Sequence, residues 1–513
     1  MDDARPAAAA VDFDRFRLRR FVDEQVAAGE VQVIDDPVAL IDIAGHLEGN
    51  PMAVLFRKAG PEQAEIVGNV LGPSRLGAAF GLPRSELPQE IMKRMHRPQP
   101  LVAVGRDQAP VQRIVLEGDD ADLTRLPANL QHGCDGGPYI SSSIDYVIDP
   151  ETGWTNIGVR RLMLRGRRET GIDLVAPSDL RQIYLASAAK DEPVPIAFAI
   201  GSHPIDFVAA NMRVPVDELP LLAALRGEPL PLVKCVTNDI RVPADAEMIL
   251  EGYLDARGHV EPEGPYGEFF GYYGVMKENP VFHLTAITMR DDALFQTATI
   301  SGRSLNTTET ANLGTLRTEI MIWRALQTAV REPVAVHAMA ESNGCNHVRV
   351  ALRQRVPGEA RNAIAAVFGA FANVKHVFVV DDDIDVTSDQ QMEWALSTRF
   401  QADRDLVVQN GFRTLPLDPS LDGARTGAKA GFDLTLPFGK RDVLAFTVPV
   451  PPVRGTARFQ TVREALSSGP MMFGELMAAL GSDDGREIVL ELEALREAGE
   501  LTRLEEGQYT LVG

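Results

Sequence analysis

Apolar residues recur at helical spacing in DFDRFRLRRFVDEQVAAGE (12–30), which predicts an amphipathic helix. The following VQVID and MAVLFRKA read as short strands. From 111 to 305 the pattern becomes strand-rich, with β-type runs in NIGVRRLMLRG, PIAFAIGS, EMILEGYLD and VFHLTAITMRDDALFQTATISG. In the last run, Asp291 and Asp292 stand where a hairpin would turn. Residues 308–331 return to helical spacing without a proline and predict one long connecting helix. Beyond it the strands VAVHAMA and HVRVALRQR precede the helix GEARNAIAAVFGAFANV, the strand HVFVVDDDIDV and the helix QQMEWALSTRF, an alternation typical of an α+β layer domain. Residues 411–455 are rich in glycine and proline and are expected to wrap back over the other domains.

The last stretch reads as a separate module. FQTVREAL, FGELMAALG and REIVLELEALREAGELTRL are helical, and QYTLV has strand character, so helices followed by a short wing predict a winged-helix-like unit. Such units often bind DNA, but this one is acidic (Asp483, Asp484, Glu487, Glu491, Glu493, Glu497, Glu505, Glu506), the wrong sign for a phosphate backbone. A packing or interaction role is expected. The pieces are 1–110, 111–307, 308–332, 333–455 and 456–513.

Composition narrows the function classes. The chain has 513 residues, 45% of them apolar, enough for several cores. Its net charge of −21 argues against nucleic acid or an anionic membrane as the main partner. Cys134, Cys235 and Cys345 are far apart and form no CxxC pair, which fits a reducing, cytoplasmic setting. No apolar run approaches a membrane span. The opening MDDARPAAAA lacks the layout of a signal peptide and reads as a frayed tail.

Familiar catalytic motifs are missing: no GxSxG, no HExxH, no GxGxxG after a strand, and GARTGAK (423–429) lacks P-loop spacing. The chemistry is concentrated in EPEGPYGEFFGYYG (261–274), where Glu263 and Glu268 flank a Gly-Pro-Tyr-Gly turn. Such a turn can aim both carboxylates into one cavity, where one of the pair would keep its proton near neutral pH and serve as a general acid. The alternative is a solvated surface hairpin. Upstream, TNIGVRR (155–161) places Asn156 and Arg161 on one strand; at that offset they face opposite sides unless a bulge intervenes, for which Gly158 is the candidate. Arg161 is suited to bridging the carboxylates or clamping a substrate carboxylate.

Taken in order, NIGVRR, VKCVTNDIRVPADAEMILEGY (233–253), EGPYGEFFGYYG and FVVDDDIDV…EWALSTRF resemble the UbiD family of decarboxylases over about residues 30–450. The resemblance implies an α+β multidomain fold: an N-terminal α/β region, a split β-barrel cofactor domain over 111–307 and a C-terminal α+β oligomerisation domain. It implies reversible, non-oxidative decarboxylation of an unsaturated acid on prenylated FMN, through a covalent cofactor–substrate adduct. The cofactor would come from a flavin prenyltransferase and be held with Mn2+ (or Mg2+) and K+, in a homodimer or higher homo-oligomer. The catalytic set falls on Arg161, Glu263 and Glu268, with Glu268 returning the proton. The metal set falls on Asn156, Asp179 and Glu218. Asp179 stands where the family has histidine, and it equally reads as a first-turn residue of a helix capped by Ser178. The cofactor contacts fall on Asn156, Arg161, Ala210, Asn211, Met212, Glu218 and Lys429. DDDID (381–385) reads as structural.

Substrate contacts are expected from 301–314 and 430–446, with Asn306, Asn312 and Phe432 as candidates, and an aromatic or heteroaromatic acid suits a flavin-stacked pocket. Two other readings compete: a regulatory or assembly protein whose terminal module is the working part, and a metal-dependent hydrolase built on Asn156, Asp179 and Glu218. The second leaves the glutamate pair and the arginine unexplained.

Overall fold

The computed structural model describes residues 11–441 and 443–512, so the N-terminal tail lies outside the described residues. The chain divides into two compact units, 1–435 and 436–513. At the centre of the first unit is a closed barrel of six antiparallel strands. Its order is Met248–Leu254, Val194–Ile200, Tyr139–Ile148, Thr155–Leu164, Glu169–Ile172 and Val281–Met289, the last pairing back onto the first. Closure removes unpaired strand edges. It also needs one very close approach: a Cβ on Gly252 would lie 2.0 Å from the His283 carbonyl oxygen, beside the register shift at Glu251/Gly252.

The period-two alternation of the strands divides their side chains between two cores. Phe198, Leu250, Leu162 and Phe282 join one cluster with residues of the N-terminal region. Ala197, Ala199, Ile249 and Ile157 join another with the helices Pro204–Ala210 and Glu218–Arg226. The turn at Asp291 and Asp292 forms but makes no hairpin. The chain leaves the barrel there, and Phe295–Gln296 adds in parallel to Ala64–Gly68, the edge of the N-terminal sheet. Burial of Leu294 and Phe295 in the N-terminal cores outweighs a local return.

The connecting helix spans Glu309–Ala329 and is capped by Thr308, whose side chain accepts from the Ala311 amide. The C-terminal sheet runs Pro333–Ala338, His347–Leu352, His376–Asp381, Thr426–Asp433, Leu406–Arg413. The glycine-rich stretch from 411 therefore does not wrap over other domains as far as 433: it is a hairpin completing this sheet. DDDID ends a strand, with Asp381 and Asp383 ion-paired to Arg399 and Asp382 to Arg353, in keeping with a structural part.

The second unit begins at 436, earlier than the module boundary read from the sequence. It holds helices Val462–Ser467, Phe473–Leu480 and Arg486–Glu497 and the wing Leu501–Arg503 with Tyr509–Leu511. The helical reading of 486–504 overran: the helix stops at Glu497, and after a turn at Gly499 the chain becomes the first wing strand. Among the described residues no helix is long and apolar enough to cross a membrane, and the three cysteines are free.

Candidate active site

Three strand segments and two loops bring the charged side chains together. Arg161 comes from Thr155–Leu164, opposite a register shift in Tyr139–Ile148 between Ile140 and Ser143. The bulge thus lies on the partner strand and not at Gly158. Glu263 ends Glu261–Glu263, which pairs with Lys277–Asn279 so that Glu263 stands opposite Lys277. Tyr266 and Gly267 pair with Tyr273 and Gly274, and Glu268 follows directly. Gly264 makes the turn with φ +93°, a conformation that disfavours any side chain.

The turn does aim both glutamates inward, and both are buried. Arg161 reaches each of them, Nε to Glu263 at 3.4 Å and Nη2 to Glu268 at 3.2 Å, and its guanidinium lies 4.3 Å from the centre of the Tyr266 ring. The Tyr139 hydroxyl donates to Glu263 at 3.0 Å. Two further charges complete the group. Asp173, just after Glu169–Ile172, accepts from Arg161 at 3.0 Å and from Lys277 at 3.1 Å. Lys277 also stands 3.9 Å from Glu268. Burial disfavours the Arg161 charge, but Glu268, Glu263 and Asp173 outweigh it and hold the guanidinium above its usual range. Burial pushes Glu268 up; Arg161 and Lys277 pull it back, and Asp173 and Glu263 add to the rise. For Asp173 burial acts in the same upward sense, yet Arg161 and Lys277 win and hold it low. The arrangement can present a protonated carboxylic acid beside a fixed cation.

Asn156 and Glu218 form a second group. Glu218, the first residue of Glu218–Arg226, is buried and accepts from the Asn156 amide at 2.9 Å and from the Ile157 backbone amide. Its carboxyl is pushed up to about 8, first by burial and further by Asp145 and Asp179. Asp179 is exposed and opens Asp179–Ala188, with Ser178 accepting from the Arg181 amide, so the capping geometry is present and the charge still reaches Glu218. The Asn156 amide oxygen and the buried Glu218 carboxylate are hard oxygen donors of the kind Mn2+ or Mg2+ accepts, while among the described residues no group of three or more His, Cys, Asp or Glu side chains is gathered to hold a metal.

Positive charge gathers next to them. Arg213 is pulled down by burial, Arg413 and Arg160, and also faces Asp179. Arg317, pushed down to about 10 by burial and by Arg213, donates to Asn211 at 2.9 Å while its buried Nε has no partner. With Arg324 they line a cavity of about 210 Å³ otherwise walled by Met95, Met212, Val214, Ile320 and Met321. Among the described residues no carboxylate lines it. Guanidiniums repelling one another in this way favour an anion, and a phosphate group fits. Asn211 is fixed here from both sides, since its amide also donates to the Leu313 carbonyl at 3.0 Å. Ala210 and Met212 flank it, both buried.

Lys429 is buried in the C-terminal domain, its ammonium donating to the carbonyls of Phe371 and Ala372 over the rings of Phe368 and Phe412, and burial lowers it to about 8. Phe371 also lies under the Arg317 guanidinium, 5.3 Å from its ring centre, so Lys429 adjoins the Arg213–Arg317 group. Phe432 stacks on Phe378 with centroids 4.7 Å apart, in the C-terminal core. Asn312 is buried and donates to the Thr308 and Asn306 carbonyls, holding the start of the connecting helix. Sequence reading missed Asp173, Lys277, Arg213 and Arg317. None stands in a motif, and only the spacing of Arg317 and Arg324 on one helix face was visible beforehand.

Residues 102–304 match the domain family described as 3-octaprenyl-4-hydroxybenzoate carboxy-lyase Rift-related domain, and 311–434 match the corresponding C-terminal domain. An anhydromevalonate phosphate decarboxylase of Methanosarcina mazei is 31% identical over 423 residues, covering 81% of this chain and 95% of that protein. A protein of the same description from Aeropyrum pernix is 33% identical, covering 77% and 87%. Among solved structures, the UbiD-class enzyme HmfF from Pelotomaculum thermopropionicum in complex with FMN superposes with a TM-score of 0.80 at 30% identity, covering 85% of this chain and 98% of that one. The 3,4-dihydroxybenzoic acid decarboxylase of Enterobacter cloacae gives 0.78 at 25% identity, covering 85% and 97%.

Proposed function

The chain belongs to the UbiD family and is a carboxy-lyase; from that premise we propose that it decarboxylates an unsaturated carboxylic acid reversibly, using prenylated FMN, with Glu268 as the proton donor. The observation that carries this reading is the buried Arg161–Glu263–Glu268 cluster, in which burial and neighbouring carboxylates favour a proton on Glu268. Arg161 orients the substrate carboxylate, with Glu263 held beside it at 3.4 Å. Loss of CO2 leaves an electron pair on carbon, and Glu268 delivers its proton to that carbon; on re-entry of CO2 it takes the proton back. The cofactor, when bound, supplies the electron sink that an sp² carbon lacks. Asn156, Glu218 and Asp179 would hold a divalent metal, Mn2+ or Mg2+, and Arg213, Arg317 and the Asn211 turn would face the cofactor phosphate, with K+ nearby. The cofactor reaches the chain from a flavin prenyltransferase. A homo-oligomer in the cytoplasm completes the reading.

For the substrate we favour a flat aromatic or heteroaromatic acid, in line with the dihydroxybenzoate decarboxylase among the structural neighbours. A second class is favoured by a specific observation: two relatives more than 30% identical are named anhydromevalonate phosphate decarboxylases. An acyclic unsaturated acid carrying a phosphate therefore belongs in the same assay. The test is to purify the protein from cells making prenylated FMN, measure flavin by mass spectrometry and metal by elemental analysis, and follow CO2 release from both classes. Flavin and metal near one per chain with turnover of either class support the reading; a colourless, metal-free protein that releases no CO2 refutes it.

A further inference from the structure

Charge counting in the Arg161 cluster leaves a remainder. Arg161 and Lys277 bring two positive charges, and Asp173, Glu263 and Glu268 bring three negative ones when all are ionised. One proton makes the set neutral; the proton affinity of buried Glu268 rises, while that of half-buried Asp173 falls. Geometry shows why the proton goes there. Asp173 holds both cations at hydrogen-bonding distance, Arg161 at 3.0 Å and Lys277 at 3.1 Å. Glu268 holds Arg161 only at 3.2 Å and Lys277 at 3.9 Å, beyond a hydrogen bond. Glu263 shares Arg161, whose Nε stands at 3.4 Å, and accepts in addition from the Tyr139 hydroxyl at 3.0 Å and the Asn279 amide at 3.5 Å.

We propose that Asp173 and Lys277 are positioning residues that set the proton on Glu268: Asp173 draws the two cations away from Glu268 so that it stays protonated, and Lys277 keeps the proton loose enough to leave. Neither is in the catalytic set, and neither needs to touch the reacting carbon. The groups facing Glu268 are Arg161 from the barrel, Asp173 from the loop after Glu169–Ile172, Glu263 and Lys277 from the paired strands, and the Tyr266 phenol, which is buried and neutral. Asp135 accepts from the Gly267 amide at 2.9 Å, with His132 packed against Gly267 and 3.5 Å from Asp135.

The two residues act in opposite senses, and that separates this proposal from a role in folding. Asp173→Asn leaves two cations facing two carboxylates, so Glu268 ionises at lower pH. Lys277→Met leaves one cation facing three carboxylates, so Glu268 keeps its proton to higher pH. A charge at this range moves a buried carboxyl by about one pH unit or more. The proposal rests on Glu268 as proton donor, so the decisive readout is independent of turnover. Infrared difference titration of the cofactor-free protein, with the Glu268→Gln spectrum subtracted, follows the Glu268 carboxyl directly. The expected result is a titration moved down in Asp173→Asn, up in Lys277→Met and near its original position in the double variant. In the loaded enzyme the alkaline limb of the rate profile should move in the same directions. Shifts of like sign, or none, in folded variants overturn the proposal. Opposite infrared shifts with an alkaline limb that stays put, or with an active Glu268→Gln, refute the proton-donor reading and leave the electrostatic assignment standing.

Discussion

The Arg161 cluster and the region around Glu218, Arg213 and Arg317 treat charge in contrasting ways. In the first, every ionic side chain has an opposite within reach and a single proton completes the balance. In the second, like charges collect. Glu218 sits near Asp179 and near Asp145, the latter ion-paired to Arg160 at 2.9 Å, Arg317 sits near Arg213, and Arg317 Nε is buried without a partner among the described residues. Burying unbalanced charge is costly, so such a region is stable only when a ligand supplies the missing sign. A self-balanced cluster suits proton transfer, because its groups need not reorganise around an incoming ion. An unbalanced one suits binding, a cation for Glu218 and an anion for Arg317.

The largest expected effect breaks the first half of this contrast. Glu268→Gln keeps shape and removes the proton; decarboxylation should fall by about 10²–10⁴-fold with flavin content unchanged, measured as CO2 release per bound flavin. Retained turnover would remove Glu268 from the chemistry. Next, Glu218→Ala and Arg317→Ala act on the second half. Each should lower flavin occupancy by about tenfold or more in folded protein, with metal lost only in Glu218→Ala. Metal loss in both would merge the cation and anion sites into one.

A smaller effect concerns pH. In metal-free protein the folded state keeps the Glu218 proton to about pH 8, while an unfolded glutamate releases it near 4.5. Between those values the folded state binds the extra proton, so its stability declines as pH rises across the window. The melting temperature should therefore drop from about pH 5 to pH 8, and both Glu218→Gln and added Mn2+ should flatten that slope. A slope unchanged by either would mean that Glu218 is not the group responsible. The mildest change is Tyr139→Phe, which removes the hydroxyl donated to Glu263 at 3.0 Å. It should cost about 1 kcal/mol of stability and a few-fold in rate, read by thermal melting and steady-state turnover.

Most of the frame was legible beforehand because it is local. The strands of the barrel, the connecting helix and the helices of the terminal module follow from periodicity, and the turn between Glu263 and Glu268 follows from Gly264 and Pro265. The errors came where a partner distant in sequence decided the outcome. Asp291 and Asp292 do turn the chain, yet the next strand joins a sheet whose neighbouring strand begins at Ala64. The run from 486 to 504 switches from helix to wing because Tyr509–Leu511 pairs with Leu501–Arg503. Phe432 stacks on Phe378 within the C-terminal domain, a contact that no spacing announces.

What the sequence determined by itself was the set of elements and the two carboxylates on one turn, since a glycine of positive φ and a proline act over a few bonds. Only the tertiary structure decided the electrostatics. Lys277 meets Glu263 through strand register, Asp173 meets Arg161 through the register of Glu169–Ile172 on Thr155–Leu164, and Arg317 meets Arg213 where the long helix packs near the turn at Asn211. Charge interactions depend on distance and burial, and neither quantity exists until the chain has folded.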